Sequence, residues 1–386
     1  MIMANNNCDI RLCVPLIYEK NYLEELIALN DSCSDNSCCI YETYGSLRED
    51  IIGNLRPSCN IKDINISKLK DYISVLHRNN IKFDYVINST LSPMPIEPEV
   101  STEDILDFVN ELISIGTDSF TVTNPYILMM IKNNFPTVKV NASVCNEISS
   151  IHQIKEFDAI GADCIILDRD INRKFRLIKK MRESTKKELK VLCNSPCIYQ
   201  CINVQYHANH SSFLSVQHLN KNNFELPYCS YYCSYKQFSN PVECIKPQWI
   251  RPEDLQYYNE LGISYFKLDG RDKPSEYMIE VVKAYLCMKY DGNFFHLLHN
   301  SFTKEMKDIM RLDFNQNVYA EWKMGIDNRE LDGFIELVQK KDFDCEGNCD
   351  ECNICYIIAK KIKINNLWQE QVCKDLKNKM NQKIYK

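Results

Sequence analysis

The sequence predicts an α/β protein built on a (β/α)8 TIM-like barrel, with a cysteine-rich insertion near the last strands and a helical C-terminal extension. Three observations carry this prediction. Eight short β-rich runs alternate with helical patterns over about the first 270 residues, and such alternation implies a parallel sheet. No G-x-G-x-x-G or P-loop occurs, as an open doubly wound sheet would normally advertise. The rhythm is interrupted only once, between the seventh and eighth runs, by about 70 residues in place of one helix, well beyond ordinary loop length.

The strand candidates are Ile10–Leu16, Cys39–Tyr44, Phe83–Asn88, Ser119–Thr123, Val138–Ser143, Cys164–Asp168, Leu189–Cys193 and Tyr265–Asp269. Each is rich in residues that pack on a pleated surface. Amphipathic spacing predicts helices over Ile66–Asn79, Glu103–Ile115 and Asn172–Ser184,. Their ends carry the expected chemistry. Ser101 offers a hydroxyl cap ahead of Glu103 and Asp104,. Pro252 suits the first position of a helix that stops at Gly262, and Gly161 closes another,. The barrel with its insertion (193–250) is assigned to residues 1–290, and the extension to 291–386, with a tail motif at 345–355.

In such a barrel the active site lies at the C-terminal strand ends. Those ends read Glu42, Asn88, Asn124, Asn141, Asp168, Cys193-Asn194 and Asp269-Gly270-Arg271, a polar ring over an apolar core. Arg271 can grip a carboxylate or phosphate with two parallel donors, or serve as a structural partner of Asp269.

Composition narrows the function classes. With 45% hydrophobic and 25% charged residues the chain is ordinary globular protein, and its net charge of -6 gives no general attraction for nucleic acid,. Lys179-Lys180 and Lys186-Lys187 read as solvated helix faces. Met1 to Asn7 lack the apolar core of a signal peptide, and no run approaches a membrane span,. The expectation is a cytoplasmic protein, where thiols stay reduced. Its 20 cysteines then point to metal or redox chemistry rather than a disulfide framework,. Cys13, Cys164 and Cys287 sit in apolar patterns and are expected to be small core residues.

Two groups of cysteines stand out. The insertion holds Cys193, Cys197, Cys201, Cys229, Cys233 and Cys244, with His207 and His210 between them. Four thiolates suffice for an iron–sulfur cluster, and Cys229 and Cys244 compete for the last place beside Cys197, Cys201 and Cys233. Zinc on Cys197, Cys201, His207 and His210 is the alternative, although the spacing departs from zinc-finger spacing. His207 is the best proton-transfer candidate, since an unperturbed imidazole titrates near neutrality. The tail motif Cys345-x3-Cys349-x2-Cys352-x2-Cys355, flanked by Asp344, Glu346, Asp350 and Glu351, is a second metal signal, for zinc or a further cluster,. No H-E-x-x-H or G-x-S-x-G is present.

The run Trp249-Ile250-Arg251-Pro252-Glu253-Asp254-Leu255, then Leu261 to Arg271, Pro274 to Tyr277 and Val281 to Tyr285, resembles peptidase family U32. Asn194 to Cys201, His207 to Asn209 and Cys233 resemble that family's cysteine signature, and the tail resembles the cysteine-rich end of one branch. The first cysteine pair is closer together than in the best known branches, and their glycine-rich stretch is missing. The resemblance implies a barrel carrying a 4Fe-4S cluster on four cysteines. It further implies oxygen-independent hydroxylation-type or redox chemistry on a small-molecule or peptide-borne substrate, with a protein partner of the same family. Peptidase activity, and a non-catalytic metal-stabilised partner protein, are the alternatives. The residues expected to act are His207, Asp168 and Arg271 beside a centre on Cys197, Cys201, Cys229 or Cys244, and Cys233.

Overall fold

Strand residues of this chain alternate between apolar side chains on one face and polar ones on the other, and closing the sheet puts the polar face inside. In the computed structural model, which describes residues 8–32, 37–91, 100–216, 228–298, 323–340, 345 and 349–384, eight parallel strands form a closed barrel in sequence order. They are β1 (Ile10–Pro15), β2 (Cys38–Gly45), β3 (Lys82–Ile87), β4 (Ser119–Val122), β5 (Lys139–Ala142), β6 (Cys164–Ile166), β7 (Glu188–Leu192) and β8 (Tyr265–Lys267). Phe83, Phe120, Val140, Ile165, Val191 and Phe266 belong to the apolar core beneath the helices. Each is essentially without solvent contact.

The opposite face is charged. Lys190 forms an ion pair with Glu42 in the barrel lumen. Asp84 accepts from Ser119 Oγ at 3.0 Å, from Thr121 Oγ1 and from Asn141 Nδ2 at 3.1 Å. Lys267 Nζ lies 3.6 Å from the centre of the Tyr44 ring. Burial pushes the Asp84 carboxyl up to about 6, with Glu42 adding to the effect, and burial lowers the Lys267 ammonium,.

Helices follow the strands at α1 (Lys20–Ser32), α2 (Ile66–Arg78), α3 (Thr102–Ser114), α4 (Pro125–Asn134), α5 (Ile151–Ala159) and α6 (Phe175–Glu183). Ser101 and Asp104 form a full capping box at α3,. After β7 comes the insertion, with α7 (Val204–Val216) and α8 (Tyr228–Ser239); the short α9 (Leu255–Asn259) then returns the chain to β8, and α10 (Ser275–Leu286) ends the barrel.

The remaining segments pack on this body. A two-stranded antiparallel ribbon joins β9 (Met324–Gly325) to β10 (Lys363–Ile364). Helices α11 (Phe334–Lys340), α12 (Cys349–Cys352), α13 (Ile354–Ala359) and α14 (Asn366–Ile384) complete the extension. Trp249 stacks on both Phe294 and Phe334, with ring centres 4.5 and 5.6 Å away. Arg251 clamps the same junction, giving two 3.0 Å bonds to the Asp254 carboxylate and a 2.9 Å bond to Asp332. Helix α14 braces α8: Gln369 Nε2 donates to the Phe238 carbonyl at 2.6 Å, and the Trp368 ring meets Phe238 edge-on. Among the described residues no helix is long and apolar enough to cross a membrane.

Several expectations are corrected. Cys8, just before β1, and Cys39 of β2 form a disulfide; not every thiol is free. Cys287 is exposed at the end of α10 rather than in the core. Lys186 and Lys187 lie in the connection after α6, not on a helix. Asp344 and Glu346 fall outside the described residues.

Candidate functional site

The C-terminal ends of the strands gather fewer of the expected polar residues than the sequence suggests, and add others. Glu42 and Asn141 are deep in the lumen, tied to Lys190 and Asp84, because β2 and β5 continue past them. Asn124 is turned outward as the cap of α4, accepting from Tyr126 N at 2.9 Å. Cys193 is buried in the core under the helices. Asn88, Asp168, Asn194 and Asp269 do reach the mouth region. Asn194 locks the ends of β7 and β8 together, accepting from Asp269 N at 2.7 Å and donating to the Asp269 carbonyl at 3.0 Å.

Arg271 is not the partner of Asp269. It donates to Ser46 Oγ at 2.9 Å and Asn54 Oδ1 at 3.4 Å, while Arg56, from the loop after β2, takes Asp269 at 2.7 Å and Asp272 at 3.6 Å. Burial, with Arg56 nearby, lowers the Arg271 guanidinium from its ordinary value. Asp168 caps a short turn (Arg169–Ile171), accepting from Asp170 N at 3.1 Å. Cys145 sits among these groups, with Asn88 Nδ2 3.9 Å from its sulfur and Ser143 bonded to it. Arg169, Arg56 and Asp269 all act on its thiol electrostatically.

Helix α7 lies across the mouth. Ser215 Oγ accepts from Asn54 N at 2.8 Å, and Ser212 Oγ accepts from Thr90 N at 2.9 Å. It thereby bridges the loops after β2 and β3. His207 on this helix faces Arg56, His210 and Arg169. Burial, followed by Arg56, His210 and Arg169, lowers its imidazole to about 4,. The expectation of an imidazole titrating near neutrality is corrected: His207 is neutral at physiological pH, and among the described residues Cys197, Cys201, His207 and His210 form no group able to hold a metal ion.

Cys197, Cys201, Cys229 and Cys233 converge from two segments, the start of the insertion and α8. Cys197, Cys201 and Cys229 all act electrostatically on Cys233, and Cys201 acts on Cys229. Burial raises the thiols of Cys201, Cys229 and Cys233, that of Cys229 to about 12. Cys244, the competing fourth candidate, is instead packed in the core with its sulfur 3.8 Å from the Gln237 carbonyl. Arg169 faces Cys197, and its Nε is buried with no hydrogen-bond partner among the described residues. A cleft of about 200 Å³ opens beside this group, lined by Glu147, Asp168, Arg169, Asp170, Gln200 and Cys201.

The tail cysteines form a second group. Cys345, Cys349 and Cys352 act on Cys355, and the Tyr199 hydroxyl donates to the Cys345 carbonyl at 3.3 Å. Tyr199 lies between Cys197 and Cys201 in sequence, so the two groups are neighbours. Among the described residues no three His, Cys, Asp or Glu side chains stand close enough to share a single metal ion.

Arg56, Arg169 and Cys145 were not singled out by the sequence. Arg169 directly follows Asp168, which was; Arg56 and Cys145 carry no local signal, since only closure of the barrel brings their loops together.

The chain was compared with known proteins, and its family follows from two sequence matches. The model of Peptidase family U32 matches residues 53–327. An "uncharacterized protease" of Methanocaldococcus jannaschii is 31% identical over 304 residues, covering 77% of this chain and 82% of that protein. A solved U32 peptidase is 16% identical with a TM-score of 0.49, over 69% of this chain and 94% of that one. The tryptophan synthase α-subunit of Pyrococcus furiosus, 10% identical with a TM-score of 0.38, covers 72% of this chain and 97% of its own.

Proposed function

The chain belongs to peptidase family U32, and from that premise we propose that it is an iron–sulfur enzyme carrying a 4Fe-4S cluster on Cys197, Cys201, Cys229 and Cys233. The observation that carries the proposal is the meeting of these four thiols from separate segments beside the barrel mouth. Four cysteines are the ordinary ligand set of such a cluster. The surroundings fit it. Arg169 brings a buried, unsatisfied Nε to the Cys197 side, where a thiolate charge would meet it.

When bound, the cluster supplies one-electron chemistry, and the reading is redox or oxygen-independent hydroxylation-type conversion of a small-molecule or peptide-borne substrate. The protein's own part is to hold that substrate. Among the described residues Arg271 is hydrogen-bonded only by the neutral groups of Ser46 and Asn54, which leaves it able to take an acidic or carbonyl group. Asp168 and the Cys145 thiol line the same region. Neutral His207 can accept a hydrogen bond at a ring nitrogen, but its lowered basicity makes it a weak proton acceptor and leaves no proton to donate at pH 7,. Helix α7 covers the mouth and limits water.

Peptidase activity is the second reading, supported by the names of the family and of the archaeal relative. The mouth thiol Cys145 is bonded by Asn88 and Ser143 rather than by a histidine, unlike an activated cysteine nucleophile. The test compares Cys229→Ser with Cys244→Ser in anaerobically purified protein. The proposal expects Cys229→Ser to lose the mouth iron and Cys244→Ser to keep it. The opposite pattern rejects this ligand set, and hydrolysis of peptides by chelator-stripped protein supports the peptidase.

A further inference from the structure

We infer that the tail cysteines Cys345, Cys349, Cys352 and Cys355 are a second, separate four-thiolate metal centre, docked on the barrel by the buried guanidinium of Arg173. Arg173 is only 2% exposed. It is clamped between the Trp249 and Phe334 rings, each 4.6 Å from its central carbon. Its Nη1 donates to the Ile245 carbonyl at 2.7 Å and lies 3.9 Å from the Cys355 sulfur. Among the described residues its Nε and Nη2 are buried with no hydrogen-bond partner, and the Asp254 carboxylate, which feels its charge, is bonded to Arg251 instead.

A buried cation left in this condition is costly, because burial of charge needs a counter-charge. A neutral thiol at Cys355 does not provide one. Four thiolates around an oxidised four-iron cluster leave two net negative charges. Arg173 then has the partner its setting lacks. Lys246 adds to this field. It is shared between Glu243, at 2.8 Å, and Cys349.

The placement also gives the centre a structural task. Arg173 belongs to the loop after β6, four residues beyond Arg169, which faces Cys197. One short loop thus presents one guanidinium to each cysteine group. The metal would fasten the tail onto that loop, next to the mouth but on its own ligands. The inference does not rest on the mouth cluster: the two ligand sets share no residue.

The experiment uses the full chain carrying Cys197→Ser and Cys201→Ser, so that metal at the mouth is removed, purified anaerobically and analysed for zinc, iron and sulfide. The tail centre predicts one iron–sulfur cluster per folded chain, lost when Cys349→Ser and Cys352→Ser are added. In the same background, Arg173→Met should release metal to a chelator faster by about 10–100-fold, the usual effect of removing an outer-sphere partner. Arg173→Lys should recover part of the difference, and it serves as the test if the methionine variant does not fold. A folded background protein without iron and sulfide, whether metal-free or holding zinc alone, or equal release rates in the wild-type, lysine and methionine forms, would overturn the inference.

Discussion

His207 illustrates how far a residue's chemistry depends on its neighbours. A histidine between cysteines invites assignment as a ligand or an acid, yet burial against Arg56, His210 and Arg169 keeps it neutral. Because its folded value of about 4 lies below the ordinary 6.5, the unfolded chain binds more protons between these values. Stability is therefore full above about pH 6.5 and falls as pH drops through 4. His207→Gln should flatten the pH dependence of unfolding free energy in that window, and an NMR titration of the wild-type ring should show a midpoint near 4; a midpoint near 6.5 refutes the assigned environment. At this scale the cysteines, Asp168 and Arg271 were visible in the sequence, as residue types with evident chemistry. Arg56, Arg169, Arg173 and Cys145 were not, because an arginine in a loop reads as solvated until a fold buries it. Nor could sequence tell Cys229 from Cys244; that depends on which face of the segment turns to the core.

Elements were more legible. All eight strands were found close to their observed bounds, since the period of two that buries Phe83, Val140 or Phe266 outward is a local pattern. The inward charges misled: Glu42 and Asn141 resembled mouth residues because a polar residue near a strand end looks alike in the lumen and at the rim. Gly270, with φ of 142°, marks the turn out of β8. A Cβ there would stand 2.3 Å from Met278 Sδ. Gly270→Ala should cost about 1–3 kcal/mol from the backbone conformation alone, seen as a lowered Tm, and an unchanged Tm would contradict the turn. The brace between α14 and α8 was not foreseeable, as it joins distant segments. Trp368→Ala should destabilise the fold by about 2 kcal/mol, less than the ~3–5 kcal/mol of a fully buried aromatic, and should speed loss of metal from the helix that carries Cys229 and Cys233. Equal metal retention would separate that helix from its brace.

At the scale of the whole molecule, the aromatic packing of Trp249 on Phe334 and the Arg251 clamp on Asp332 help to join the extension to the barrel. Arg251 and Asp254 are 4% and 3% exposed, and removing one partner of such a pair costs about 3–5 kcal/mol. Arg251→Met should therefore lower stability by that order in chemical denaturation; a change below 1 kcal/mol would show that the clamp is dispensable. The central claim is that the mouth of this U32-family barrel holds a 4Fe-4S cluster. It is tested most directly by iron, sulfide and low-temperature EPR analysis of anaerobically purified Cys349→Ser/Cys352→Ser protein, in which the tail cannot contribute. The account predicts a brown protein with about four irons and four sulfides per chain and a reduced-cluster signal that disappears on Cys233→Ser. Folded, colourless, iron-free protein from the same preparation would contradict it.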